Sequence, residues 1–208
     1  MTAGVLIFDQ AEELDLVGPW EMLTMWKQVA GGPECLIVAE KVGPVTCAKG
    51  LTLLPHASFD DCPTLDLLVV PGGRGTRREV HNPAILDFIR QRAEGCQLAL
   101  SVCTGAFLLQ AAGLLDGKRA TTHWESLDRL RALPGVEVLE ERFTVDGKIW
   151  TSAGVSAGID MTLAAIAHLA GDEVAGKVQL HAEYFPSDAR YGGESVAAYL
   201  PRYARQGD

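Results

Sequence analysis

Gln97-Leu-Ala-Leu-Ser-Val-Cys103-Thr104-Gly-Ala-Phe-Leu-Leu-Gln-Ala-Ala-Gly113 is the stretch from which the rest of the chain can be read. Leu98, Ala99, Leu100 and Val102 form an apolar run of strand length, interrupted only by Ser101. Such a run suits a strand covered on both faces. Phe107, Leu108, Leu109, Ala111 and Ala112 then favour helix, and Gly113 closes it. Cys103 falls where strand gives way to helix. In open α/β sheets ligands bind at the carboxyl ends of the strands. The N–H groups and macrodipole of a helix start favour negative charge, so a thiol here is expected to lean toward thiolate. The competing reading is a small, inert core residue.

Working toward the N-terminus, Leu65 to Val70 is a buried strand that stops at Pro71-Gly72-Gly73. Asn82-Pro83 starts a helix through Ile85, Phe88 and Ile89. Val5 to Phe8 opens the chain as a strand. A loop from Asp9 to Leu16 leads to Gly18-Pro19, with Pro19 as the first helical residue and Gly18 as its cap. That helix runs through Trp20, Leu23 and Trp26 to Gly31, and leaves Asp15 in the loop. Cys35 to Ala39 is a second strand, and Val42 to Leu54 holds short strand pieces.

Working toward the C-terminus, Asp116-Gly117 is a turn before a strand at Arg119 to Thr121. Thr122-His-Trp-Glu125 has the capping-box pattern of a helix reaching about Leu133. Val136 to Leu139 is a strand. Arg142 to Val145 and Lys148 to Ser152 flank Asp146-Gly147, a hairpin signal. Ala157 to Ala170 is a helix, and Asp172 caps another that reaches about Tyr184. Residues 1–184 therefore read as one domain. Residues 185–208 read as a tail, partly disordered or at a subunit interface. Strands alternating with helices predict an α/β sandwich with a mostly parallel sheet.

The chain has 208 residues, 48% of them hydrophobic, with a formal net charge of −9. That acidity argues against a nucleic-acid partner and against an anionic membrane surface. The first residues show no basic segment followed by a long apolar run, and no apolar run reaches membrane-span length. The five cysteines make no Cys-x-x-Cys pair, which suits free thiols in the cytoplasm. The five histidines have no zinc-type spacing, so no metal is expected.

Three loops should meet at the carboxyl edge of the sheet, carrying Asp15, Gly72-Gly73 and Cys103-Thr104. The glycines let backbone N–H groups approach a ligand and stabilise developing negative charge. A solvated loop would explain Asp15, but Leu14-Asp-Leu-Val-Gly-Pro is an apolar setting that raises a carboxyl pKa and suits acid–base work. His123 is a candidate base for Cys103, or a residue that supports the site structurally.

These residues carry a resemblance. Gln97 to Leu115, Gly-Lys-Arg-Ala-Thr-Thr-His-Trp ending at Trp124, Leu14-Asp-Leu-Val-Gly-Pro, Val-Pro-Gly-Gly ending at Gly73 and Ala157-Gly-Ile-Asp together resemble the ThiJ/PfpI superfamily, class I glutamine amidotransferase-like. They cover residues 4 to about 184. Cys103-Thr104 with Asp15 is closest to its isonitrile-hydrating branch. Protease- and glyoxalase-like relatives commonly carry Cys-His and a first-loop glutamate instead. The resemblance implies a flavodoxin-like three-layer sandwich with a cysteine nucleophile elbow. It implies Cys103 as nucleophile, Asp15 as acid/base, Thr104 as a required neighbour and Gly73 in a backbone cradle. It also implies a small-molecule isonitrile substrate, no cofactor, and a homodimer. Relatives tend to be glycine-rich where this chain has Ser152-Ala153-Gly154-Val155. The alternatives are a glyoxalase-like reaction, or a ligand or redox sensor related to AraC-type regulators. The 24 residues after Tyr184 are fewer than two helix-turn-helix units need.

Overall fold

The computed structural model describes residues 1–187, 189, 191 and 194–205. In chain order the elements are β1 (Thr2–Leu6), α1 (Glu13–Ala30), β2 (Glu34–Ala39), β3 (Val45–Thr46), β4 (Thr52–Leu53), β5 (Ala57–Ser58), β6 (Leu67–Val70), α2 (Thr76–Glu79) and α3 (Pro83–Gly95). There follow β7 (Leu98–Val102), α4 (Gly105–Ala111), β8 (Lys118–Ala120), α5 (Leu127–Arg131), β9 (Val136–Val138), β10 (Phe143–Asp146), β11 (Ile149–Ser152), α6 (Ala157–Ala170), α7 (Asp172–His181) and α8 (Glu194–Ala197).

Seven strands form the central sheet, in the order β10-β11-β7-β6-β1-β2-β5. Every pairing in it is parallel except the β10–β11 hairpin at one edge. Every residue of β6 and β7 is buried, as their unbroken apolar runs require. α1, α6 and α7 pack together as one group, and α3 packs with α4 as another. The result is a mostly parallel α/β sandwich with helices on both sides of the sheet. The hairpin turns at Gly147, whose φ of 60° suits the Asp-Gly pair that marks it.

Three local expectations need correction. α1 begins at Glu13, so Asp15 sits in its first turn and Pro19 lies inside the helix. The buried positions Leu16, Pro19, Leu23 and Trp26 keep helical spacing through the proline, and this continuous apolar face outweighs the lost N–H. Gly18 is not a cap. A Cβ on it would meet Ile159 Cγ1 at 2.9 Å, so its lack of a side chain lets α1 approach α6. The capping box at Thr122 does not form either. His123 is the cap: its Nδ1 accepts from the Glu125 N–H at 3.3 Å and opens a short 3-10 turn before α5. Asp172 is the first helical residue of α7, after Gly171 at φ 91°.

The described part of the tail folds back on the domain. The Arg202 N–H donates to Glu140 Oε1 at 2.8 Å, and Tyr203 is half-buried. The expected disorder of this tail falls partly on residues outside those described.

Candidate active site

Three neighbouring strands of the sheet bring the site together. β1 leads into α1, whose first turn carries Asp15. β6 leads into Gly72 and Gly73, and β7 leads into Cys103 and Thr104. β6 lies between β1 and β7 in the sheet, so residues far apart in sequence converge at one edge.

Cys103 has φ 56°, a left-handed backbone that non-glycine residues rarely adopt. Its N–H donates to the Ser152 and Ala153 carbonyls at 3.1 and 3.0 Å. Its carbonyl accepts from the Thr122 hydroxyl at 2.7 Å, which is the use the structure makes of Thr122. A Cβ on Gly105 would lie 2.3 Å from the Val70 carbonyl oxygen, so the start of α4 can sit against β6 only with glycine there. The strain at Cys103, of order 1–3 kcal/mol, is held by interior contacts on both sides.

Asp15 has no solvent exposure. Its Oδ2 accepts from the Gly72 N–H at 2.9 Å, while Oδ1 is buried without a hydrogen-bond partner of ordinary geometry. Burial pushes this carboxyl up to about 7, Glu12 adds to the rise, and the Gly72 N–H and the Cys103 thiol oppose it. The thiol is close enough to act on the carboxyl as a donor, although the contact falls short of full hydrogen-bond geometry.

The surroundings of the sulfur oppose the thiolate that a helix start favours. Burial, with the Asp15 charge behind it, pushes the Cys103 thiol up to about 12. N–H groups of Thr104 and Val155 and the Thr104 side chain favour thiolate but do not prevail. α4 has only seven residues and sulfur next to it is almost fully desolvated, so the helix start is the weaker influence. Thiol and carboxyl therefore titrate as a coupled pair in which sulfur holds the proton at rest.

The glycine pair also does other work than expected. The Gly72 N–H is committed to Asp15, and the Gly73 N–H donates to Thr104 Oγ1 at 2.9 Å. Both N–H groups are engaged by side chains of the site itself. A Cβ on Gly72 would lie 2.5 Å from the Thr104 nitrogen and 2.9 Å from Asp15 Oδ2, so this glycine allows the three loops to close together. Gly73, at φ 114°, forms a bridge with Ala11 in the loop ahead of α1. Thr104 Oγ1 is further tied to the Thr76 hydroxyl at 3.2 Å. The pair thus orients Asp15 and Thr104.

His123 stands apart from this cluster. Its ring bonds to Glu125, and a Cβ on Gly154 would come within 2.5 Å of its Cδ2. Burial lowers its pKa. No hydrogen bond joins it to Cys103, so its position is that of a support packed on the 152–156 loop.

Three residues at the site escaped sequence reasoning. Glu12 carries charge near both Asp15 and His123. Tyr203, from the tail, lies within electrostatic reach of the Cys103 sulfur. Val155 has φ 40° and turns its N–H toward that sulfur. A β-branched residue in this conformation is an outlier, and no propensity marks the position in the sequence. Among the described residues, no cluster of three or more His, Cys, Asp or Glu side chains could hold a metal, and no helix is long and apolar enough to cross a membrane.

A parallel α/β sheet that presents a strained cysteine elbow defines a known class. A family model described as the DJ-1/PfpI family matches residues 1–168, and the chain belongs to that family. Over 184 residues it is 42% identical to isonitrile hydratase of Pseudomonas putida, across 88% of this chain and 78% of that protein. This similarity supports an enzyme of that kind. The crystal structure of a ThiJ/PfpI family protein from Pseudomonas syringae superposes with a TM-score of 0.85 at 35% identity, covering 93% of this chain and 78% of the other. The HTH-type transcriptional regulator GbdR of Pseudomonas aeruginosa is 33% identical over 173 residues, spanning 82% of this chain but 46% of the regulator.

Proposed function

We propose that the protein hydrates isonitriles to N-substituted formamides through a covalent thioimidate on Cys103. The observation that carries this reading is the buried carboxyl of Asp15, with its pKa raised to about 7, beside a thiol that keeps its proton at rest.

An isonitrile has a terminal carbon that accepts a thiolate only if a proton reaches the same carbon. Ionised Asp15 takes the proton from Cys103 Sγ as sulfur bonds to the carbon, then delivers it to that carbon. The product is R–N=CH–S–Cys103. Water then adds across the C=N bond, its proton going to nitrogen and its hydroxyl to carbon, with Asp15 as base. Collapse to R–NH–CHO breaks the C–S bond, and the hydroxyl proton returns to sulfur through Asp15. Overall one water is consumed and Cys103 is regenerated, with no cofactor in any step. Thr104, held by the Gly73 N–H and Thr76, fixes the position of the turn that carries the sulfur.

In this reading the protein works on a small molecule, as a homodimer in the cytoplasm. The test is incubation with an aryl isonitrile while the formamide is followed by chromatography. Formamide at the rate of a no-enzyme control removes the reading. A second reading, ligand sensing without turnover, draws on the likeness to the regulator. Saturable isonitrile binding without formamide release would favour it.

A further inference from the structure

The 153–156 loop between β11 and α6 is gripped at both ends by one residue. The Ala153 N–H donates to the Arg142 carbonyl at 3.0 Å. At the far end, Arg142 Nη2 donates to Ser156 Oγ at 3.1 Å. The same guanidinium is anchored on Asp160, with Nε and Nη2 2.7 and 2.6 Å from Oδ2. Asp160 Oδ1 in turn accepts from the Tyr184 hydroxyl at 3.0 Å, tying α6 to the segment after α7. Between the gripped ends lies Val155 in its left-handed conformation, with its N–H aimed at Cys103. Valine does not hold such a backbone unaided.

We propose that Arg142, seated on Asp160, is a positioning residue for Cys103: with its carbonyl already holding Ala153, its side chain holds Ser156 and so keeps Val155 in the strained conformation that turns a backbone N–H toward the sulfur. The proposal shares with the hydration reading the premise that Cys103 is the reacting group, but its test uses no isonitrile. The charged and titratable groups facing the sulfur from other elements are Asp15 on α1 and Tyr203 in the tail. Neither is replaced in the variants below, and the charge that Arg142 presents to Tyr203 is kept in Arg142→Lys.

The rate of Cys103 alkylation by iodoacetamide at pH 8 follows its thiolate fraction. One hydrogen bond to a charged sulfur corresponds to about tenfold in that fraction. Arg142→Met should therefore slow alkylation by about tenfold, with circular dichroism unchanged. Arg142→Lys keeps the charge, but one ammonium cannot replace a planar fork on Asp160 and Ser156, so it should be nearly as slow. Val155→Gly added to Arg142→Met should recover most of the loss, because glycine adopts positive φ without being held. Should Arg142→Met fail to fold, Asp160→Asn loosens the same grip and should slow alkylation about threefold, by the same hydrogen-bond scale. Unchanged or faster alkylation in the folded variants, wild-type rate in Arg142→Lys, or a double variant as slow as Arg142→Met would each overturn the proposal.

Discussion

β7 and β11 run side by side in parallel, and each passes to its helix through a non-glycine residue in left-handed backbone, Cys103 at φ 56° and Val155 at φ 40°. The first junction is held by the interior: buried strands, a glycine pressed against a carbonyl, and the Thr122 hydroxyl on the Cys103 oxygen. The second is held nearer the surface, by a partly exposed arginine on a partly exposed aspartate. Strain at the reacting atom rests on packing that no single side-chain change releases. Strain at the atom's hydrogen-bond donor rests on a polar contact that one substitution can release.

The comparison breaks most completely at the first junction. Cys103→Ala removes only a sulfur, so the fold should persist while formamide production disappears. Retained turnover would end the covalent scheme. Asp15→Asn should lower turnover by roughly 10²–10⁴-fold, the usual contribution of a positioned acid–base group, with substrate affinity changed far less. The same substitution should stabilise the protein. A carboxyl whose folded pKa is about 7 against an ordinary 3.8 binds more protons folded than unfolded between those values. Stability therefore falls as pH rises across that window, and by pH 8 the cost is at most about 4 kcal/mol. Asp15→Asn should raise Tm at pH 8 and do so much less at pH 4, and equal shifts at both would argue against a raised carboxyl. In the wild-type enzyme, kcat/KM should rise with pH through about 7 as Asp15 ionises.

Gly105→Ala tests whether packing holds the first junction. The added methyl meets the Val70 carbonyl, so it should cost about 1–3 kcal/mol and lower Tm by several degrees. The smallest effect belongs to His123→Gln. The ring bonds to Glu125 and supports the second junction by contact, so turnover should stay within about threefold, the range of substitutions outside the core and away from special features. A hundredfold loss would make His123 a base for Cys103 and not a support.

The sequence already points to the elbow, because an apolar run ending in Cys103 and followed by helix formers has few other readings. It points to the hairpin as well, since Asp146-Gly147 fits one turn type. The site was legible as a set of residues but not as an arrangement. In the sequence Gly72 and Gly73 read as donors to a ligand, whereas in a loop packed so closely on Thr104 that a Cβ on Gly72 would lie 2.5 Å from its nitrogen, the two N–H groups go to the Asp15 and Thr104 side chains. Asp15 looked like a loop residue because Gly18-Pro19 resembles a helix start, and only tertiary burial of the Leu16 face carries the helix back to Glu13. The thiol's protonation depends on desolvation and on a carboxyl 88 positions earlier in the chain, which no local pattern encodes. Val155 and the Arg142 grip depend on backbone torsion and on partners 14 and 18 residues away.

The three loops of the site also say something about how the chain becomes active. The Asp15–Gly72 bond spans 57 residues and the Gly73–Thr104 bond 31, and both require β1, β6 and β7 to be in register. Contacts of such separation are bought late, after loop closure has been met elsewhere. An isolated β7–α4 segment with Cys103 has neither the buried Asp15 carboxyl nor the Val155 N–H, so its thiol behaves as any free thiol would. In refolding from denaturant, helix signals should recover first and turnover last, in step with the slowest phase of sheet assembly.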